Sequence, residues 1–298
     1  MNFKIIGESL KFYKVKSSSA VKVMLVLLIG IRAFMTMAPI GDRKFDFISD
    51  LLTADVTQGI DFDMPTQGNL VIIGVYLIGY FLCFCLGMLY AQIFILENQS
   101  YRSNKINLGQ DTIFMIPLNR TQVPLDASQE SITEYIKSSI KPSSFKREIK
   151  RNNENQLMYV KTALLDLIKG IPQLVLYLLL ILLIMVFSAP LFMLPFLVIT
   201  LMTFFAPLNI LYSQNKFSRS IELSYRQTNG AKITVLFTYT MQSFLFNIVS
   251  NFLMVALENY YYSYLVIEAF VFAVEILVIA RLYALFYQIL ALRQPYNV

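Results

Sequence analysis

Apolar residues fall in six long blocks along this chain, at roughly 20–39, 69–96, 171–188, 190–212, 232–257 and 264–290. A bilayer core about 30 Å thick needs about 20 apolar residues of helix per crossing, and each block meets or approaches that length. The third and fourth are separated only by Ser188-Ala189-Pro190. Merged, they would be too long for one crossing. The turn therefore predicts a helical hairpin, with Pro190 ending one helix and Pro195 in the first turns of the next. The pattern predicts an all-α, polytopic membrane bundle of about six spans.

Shorter amphipathic stretches precede some of these blocks. Glu8-Ser9-Leu10-Lys11-Phe12 leads through Ser19-Ala20 into the first span. Arg219-Ser220-Ile221-Glu222-Leu223 leads through Gly230-Ala231 into the fifth. Both have a Ser, apolar positions one and three residues later, a small or polar break, then a long apolar run. Helical spacing puts Ile6, Leu10 and Tyr13 on one face, and Phe217, Ile221 and Tyr225 on another. Each stretch predicts an interfacial helix turning into a span. Ala163 to Lys169, ahead of Gly170-Ile171-Pro172, repeats the unit more loosely.

Charge then sets the sidedness, because Lys and Arg favour the cytoplasmic side. Lys4, Lys11, Lys14 and Lys16 precede the first span. The loop 40–68 is acidic, with Asp42, Asp46, Asp50, Asp55, Asp61 and Asp63 against Arg43 and Lys44, and is expected outside the cell. Segment 97–170 holds eleven basic residues, and most of it, 97–161, is expected to be a cytoplasmic insert within the single membrane domain. Lys216, Arg219 and Arg226 follow in 213–231, only Glu258 in 258–263, and Arg293 after the last span. Six spans with both termini cytoplasmic satisfy every loop. The tyrosines from Tyr260 to Tyr264 suit an aromatic belt at the outer interface. The first span is expected to be its own insertion signal, with no cleavable leader.

Composition agrees with membrane residence: 298 residues, 56% hydrophobic and 15% charged. There is no histidine, which removes every mechanism that needs imidazole. Cys83 and Cys85 lie two apart in one apolar block and cannot join to each other on a helix. The outer Asp residues do not match an EF-hand. No nucleophile elbow, Walker loop or zinc-protease motif is present. The expectation is a protein without catalytic residues, metal or cofactor, and without a nucleic-acid partner.

In the insert, Ser131 and Glu134 fit a capping box ahead of Ile132, Tyr135, Ile136 and Ile140. A basic run follows, with Lys146, Arg147, Lys150 and Arg151. It reads either as a docking site for anionic lipid or a partner, or as a topology signal.

Ionisable residues inside spans carry the sharpest hypothesis, because charge in the membrane is costly and usually functional. Arg32 lies in the first span; Glu268, Glu275 and Arg281 lie in the last. At 1.5 Å per residue, Arg32 is roughly 18 Å from the inner end of its span and Glu275 roughly 16 Å from the outer end of its own. The depths predict an Arg32–Glu275 pair, or Arg32 shared between Glu275 and Glu268, which share a helix face. Asn247, Gln242 and Gln92 would complete a polar patch. The cluster is either a midplane binding or translocation site, or a staple joining the first and last helices.

The stretch Ser220, Leu223, Thr228-Asn229-Gly230, Lys232 and Leu236-Phe237 resembles an element of bacterial multipass families of the Gram-positive type. It is similar to the membrane domain attached to some glycerophosphodiester phosphodiesterases, as is the ending Leu282-Tyr283-Ala284-Leu285-Phe286-Tyr287. The resemblance covers residues 157–292 and, more weakly, 1–96. It implies about six spans and a bacterial plasma membrane. The catalytic domain of the enzymes is absent from this sequence, so no chemistry is implied. Three functions follow as expectations: a non-enzymatic membrane protein with a partner-dependent envelope role, a permease subunit working with a membrane or ATPase partner, or an immunity or stress factor against membrane-active agents.

Overall fold

A computed structural model describes residues 2–15, 17–44, 64–105, 156–188, 194–257 and 260–292. The basic run Lys146, Arg147, Lys150 and Arg151, the capping box at Ser131, most of the acidic loop, and Pro190 lie outside the described residues. The described residues form helices and short connections, without strands. In order they are α1 (Asn2–Ser9), α2 (Ser18–Met37), α3 (Gln67–Lys105), α4 (Gln156–Ser188), α5 (Leu194–Met202), α6 (Ala206–Leu211), α7 (Phe217–Gln227), α8 (Lys232–Ala256) and α9 (Tyr261–Phe286), followed by a π-helical turn, Tyr287–Ala291. Among the described residues, five stretches are long and apolar enough to cross a membrane: Ser18–Met37, Gln67–Asn98, Met158–Ser188, Leu194–Leu211 and Lys232–Ala256. The chain is an all-α multipass membrane bundle.

The sixth expected span, α9, is not among those five. It is the centre of the bundle, packed on α1, α2, α3 and α8. Leu265, Ala269, Ala273 and Leu277 repeat every four residues and are buried, so one face of α9 stays in contact with its neighbours. The alanines let those neighbours approach closely, which is how helices associate where lipid is as apolar as the core. Val21, Met24 and Leu28 of α2 and Cys83, Leu89 and Ile93 of α3 share this core. Both cysteines are buried and unoxidised, as apolar filler.

Two of the three expected helix-then-span units are present: α1 with α2, and α7 with α8. The third is corrected. Ala163 to Lys169 is not a separate helix, because α4 runs unbroken from Gln156 to Ser188 through Gly170 and Pro172. Gly170 serves packing instead: a Cβ there would lie 2.5 Å from Leu211 Cδ2, so its absence lets α4 approach α6. The fourth expected span is also changed, being broken into α5 and α6 at Thr203-Phe204-Phe205. Pro207 has no N–H to continue the ladder across that point.

The predicted faces of the interfacial helices hold only in part: Ile6 is buried and Phe217 packs against the core. Leu10, Tyr13 and Tyr225 are exposed, while Ser9, Ser220 and Ser224 are fully buried. Small polar side chains thus share the inward face with Ile5, Ile6 and Phe217, while the later apolar positions of each stretch face outward.

Candidate functional site

Three polar stations hold the bundle together, and the expected intramembrane cluster is divided between two of them.

The first lies near the end of the bundle opposite α1. Arg32 of α2 forms an ion pair with Glu268 of α9, with Nη2 2.6 Å from Oε1. Its Nε donates to both carboxylate oxygens, at 3.1 and 3.2 Å, and Nη1 donates to the Tyr80 hydroxyl at 3.3 Å. The Phe272 ring packs on the guanidinium at 4.7 Å. The side chains are only 18% and 14% exposed, so this pair is shielded on most sides. Glu275 is two turns further along α9 and half-buried. It lies within electrostatic range of Arg32, Glu268 and Tyr239, and Arg32 spends its hydrogen bonds on Glu268 and Tyr80. Asn247 is exposed on α8 and takes no part in the cluster.

Arg281 belongs to a second station, beneath α1. It is 5% exposed and reaches back into the N-terminal segment, with Nε donating to the Glu8 carbonyl at 2.8 Å and Nη1 to the Lys14 carbonyl at 3.2 Å. The Phe94 ring lies 4.5 Å from its guanidinium carbon. Neighbouring groups fasten the same segment. Tyr90 donates to the Phe12 carbonyl at 2.6 Å, Ser17 donates through its N–H and hydroxyl to Glu97 at 3.0 and 2.5 Å, and Ser9 donates to Gln242 at 3.3 Å. Among them Arg281 caps α1 itself, at the Glu8 carbonyl in its last turn, while the Phe12 and Lys14 carbonyls belong to the connection beyond it. Gln242, expected in the Arg32 patch, is here instead. Gln92 turns to the Leu211 carbonyl at 3.4 Å.

The third station is the break between α5 and α6. Backbone groups freed inside a membrane must be satisfied by protein. Ser224 accepts from the Phe205 N–H at 2.9 Å and donates to the Met202 carbonyl at 2.9 Å. Tyr283 donates to the Phe204 carbonyl at 2.6 Å, and Tyr177 reaches the Thr203 carbonyl at 3.4 Å. Just beyond the break, Asn209 donates to Gln227 at 2.9 Å and to the Ser220 carbonyl at 3.2 Å, and accepts from Tyr287 at 2.9 Å.

Sequence reading missed Tyr90, Glu97, Asn209, Tyr283 and Tyr287. A signal for several was present. The sequence has four aromatic–alanine pairs each preceded by an apolar residue; Phe272-Ala273 lies beside Arg32, and Tyr90-Ala91, Phe205-Ala206 and Tyr283-Ala284 are buried at the other end of the bundle. The last three lie in α3, at the α5–α6 break and in α9.

α7 presents the other face of this region. Arg219, Glu222 and Arg226 form exposed ion pairs, at 2.7 Å and 2.6 Å. Hydrogen bonding from Arg219 holds the Glu222 carboxyl below the usual glutamate range. Lys232 stacks over the Tyr225 ring at 4.4 Å, where α7 passes into α8.

No known protein family, curated protein or solved structure matches this chain. The comparisons thus identify no family beyond a multi-helix protein with several long apolar helices.

Proposed function

We propose that this chain is a non-enzymatic multipass protein of a bacterial plasma membrane, with both termini cytoplasmic, acting in an envelope role through a partner that docks at the α1–α7 end. α7 carries this reading. Its inner face is fixed to the bundle by Ser220 and Ser224, so Arg219, Glu222 and Arg226 stand on a rigid, charged and exposed ridge. Anionic lipid headgroups at this face complement Lys216 and Lys232. The pairing of Arg32 with Glu268 supports its use as a staple between α2 and α9.

Site-specific photo-crosslinking in living cells tests the reading. A photoreactive residue replacing Arg219 or Arg226 is expected to yield a discrete protein adduct, and one replacing lipid-facing Phe252 is not. Lipid adducts alone at all three positions would overturn it.

The break at Thr203-Phe205 favours a second reading, a permease subunit working with an ATPase partner, because transporters build sites at discontinuous helices. Solute flux into proteoliposomes that depends on the break-filling hydroxyls Ser224 and Tyr283 would favour that reading over the first.

A further inference from the structure

Glu275 sits fourteen residues from Tyr261 and eleven before Phe286. At 1.5 Å per residue this is about 21 Å from one end of α9 and about 17 Å from the other, near mid-depth in the bundle. The groups around it can be counted. Arg32 on α2, Glu268 seven residues back on α9 and Tyr239 on α8 interact with it electrostatically. Tyr80 and Cys83 of α3 neighbour Arg32. Arg281, on α9 beyond Glu275, is turned away to the Glu8 and Lys14 carbonyls.

The charge does not balance. One guanidinium faces two carboxyl groups, and its Nε, Nη1 and Nη2 are all engaged by Glu268 and Tyr80. Among the described residues Glu275 has no hydrogen bond and no ion pair. With both glutamates ionised the station would hold one uncompensated negative charge in the middle of a membrane. An unpaired carboxylate in such a medium costs several kcal/mol, and taking up a proton removes that cost.

We propose that Glu275 is a proton-binding site: a reversibly protonated carboxylic acid in the bundle, set apart from its ionised neighbour Glu268 by the single guanidinium of Arg32. The proton is the missing positive charge of the station. The proposal holds whether or not a partner docks at α7. It also makes Glu275 a modification site for apolar carbodiimides. The acid O–H adds across one N=C bond of the reagent. A C–O bond forms, the proton passes to nitrogen, and no group leaves. Migration of the acyl group from oxygen to nitrogen then gives a stable N-acylurea.

The test treats the full chain in lipid nanodiscs with dicyclohexylcarbodiimide and maps the adduct by peptide mass spectrometry. Labelling is expected at Glu275, on the order of ten-fold above Glu268, and falling as the medium is made alkaline. A water-soluble carbodiimide is expected to leave Glu275 unmodified. Arg32→Gln frees Glu268 and should bring it to comparable labelling. Infrared spectroscopy gives a second readout that needs no reagent: the carbonyl stretch of a neutral carboxylic acid, lost in Glu275→Gln. An unlabelled Glu275 at every pH, equal labelling of Glu268 in the native chain, or no acid carbonyl band lost in Glu275→Gln would each overturn the proposal.

Discussion

Arg32 has two carboxyl groups within reach and bonds to one of them. Depth explains the choice. Arg32 is five residues from Met37, the end of α2, and Glu268 is seven from Tyr261, the start of α9. The two helices are antiparallel, so both groups lie about 8–10 Å from the same end of the bundle, while Glu275 lies about twice as deep. Measuring Arg32 from one membrane face and Glu275 from the other hid that difference. The sequence therefore revealed which residues are charged inside the membrane and which two helices they join, but not which glutamate is paired. Arg32→Gln is expected to destabilise the bundle by about 3 kcal/mol, because Glu268 is left buried without its partner. Adding Glu268→Gln should recover a large part, and thermal unfolding in detergent would read both. Gly230, at φ +80°, is a second residue whose identity is set by geometry. Gly230→Ala is expected to cost about 1–2 kcal/mol by the same measurement, since a Cβ is strained in the left-handed region.

For elements, the apolar blocks located most helices well, and the two interfacial units were legible from a Ser followed by a small-residue break. Their orientation was legible only in part, since Ile6 and Phe217 face the core as expected while Leu10, Tyr13 and Tyr225 do not. Periodicity assigns the apolar face to the core, which holds in water. Against lipid the large apolar side chains lose nothing by facing outward, and small or hydrogen-bonding residues are retained for contact. Ser9, Ser220 and Ser224 follow that rule. The break between α5 and α6 was hidden for a related reason: its freed backbone groups are answered by Ser224, Tyr283 and Tyr177 from other elements, and a uniform apolar run gives no sign of such partners. Ser224→Ala removes the acceptor of Phe205 N–H and the donor to Met202. A loss of about 1–3 kcal/mol is expected, with faster hydrogen exchange at Phe205. α7 is sensitive to acid in a defined sense. Because the folded Glu222 carboxyl titrates below its unfolded value, its contribution is complete above the unfolded pKa and lost as pH falls through the folded one. A carbon-13 titration of Glu222 should show a midpoint below that of free glutamate, moving back toward it in Arg219→Gln.

Across the whole molecule, the interfacial helices α7 and α1 pack on α6 and α9, and α4, continuous with its span, packs on α3. α7 is thus fastened to the helix just before it in sequence, and α1 to the last span. Arg281 makes the second of these fastenings, so its worth depends on α1. Arg281→Met is expected to lower the thermal midpoint strongly in the full chain. In a chain without residues 1–15 the same substitution should cost far less, because the carbonyls it bonds are already gone. Equal losses in both backgrounds would show that Arg281 serves something other than α1.

Glu8 and Arg281 are 273 positions apart in sequence. A ribosome therefore delivers α1 long before the residue that anchors it. Through most of synthesis the N-terminal segment has Tyr90 and Glu97 for company, but neither Gln242 nor Arg281. Its docking marks the arrival of the final helix, so a protease that cuts only undocked α1 would distinguish a finished bundle from one still being inserted.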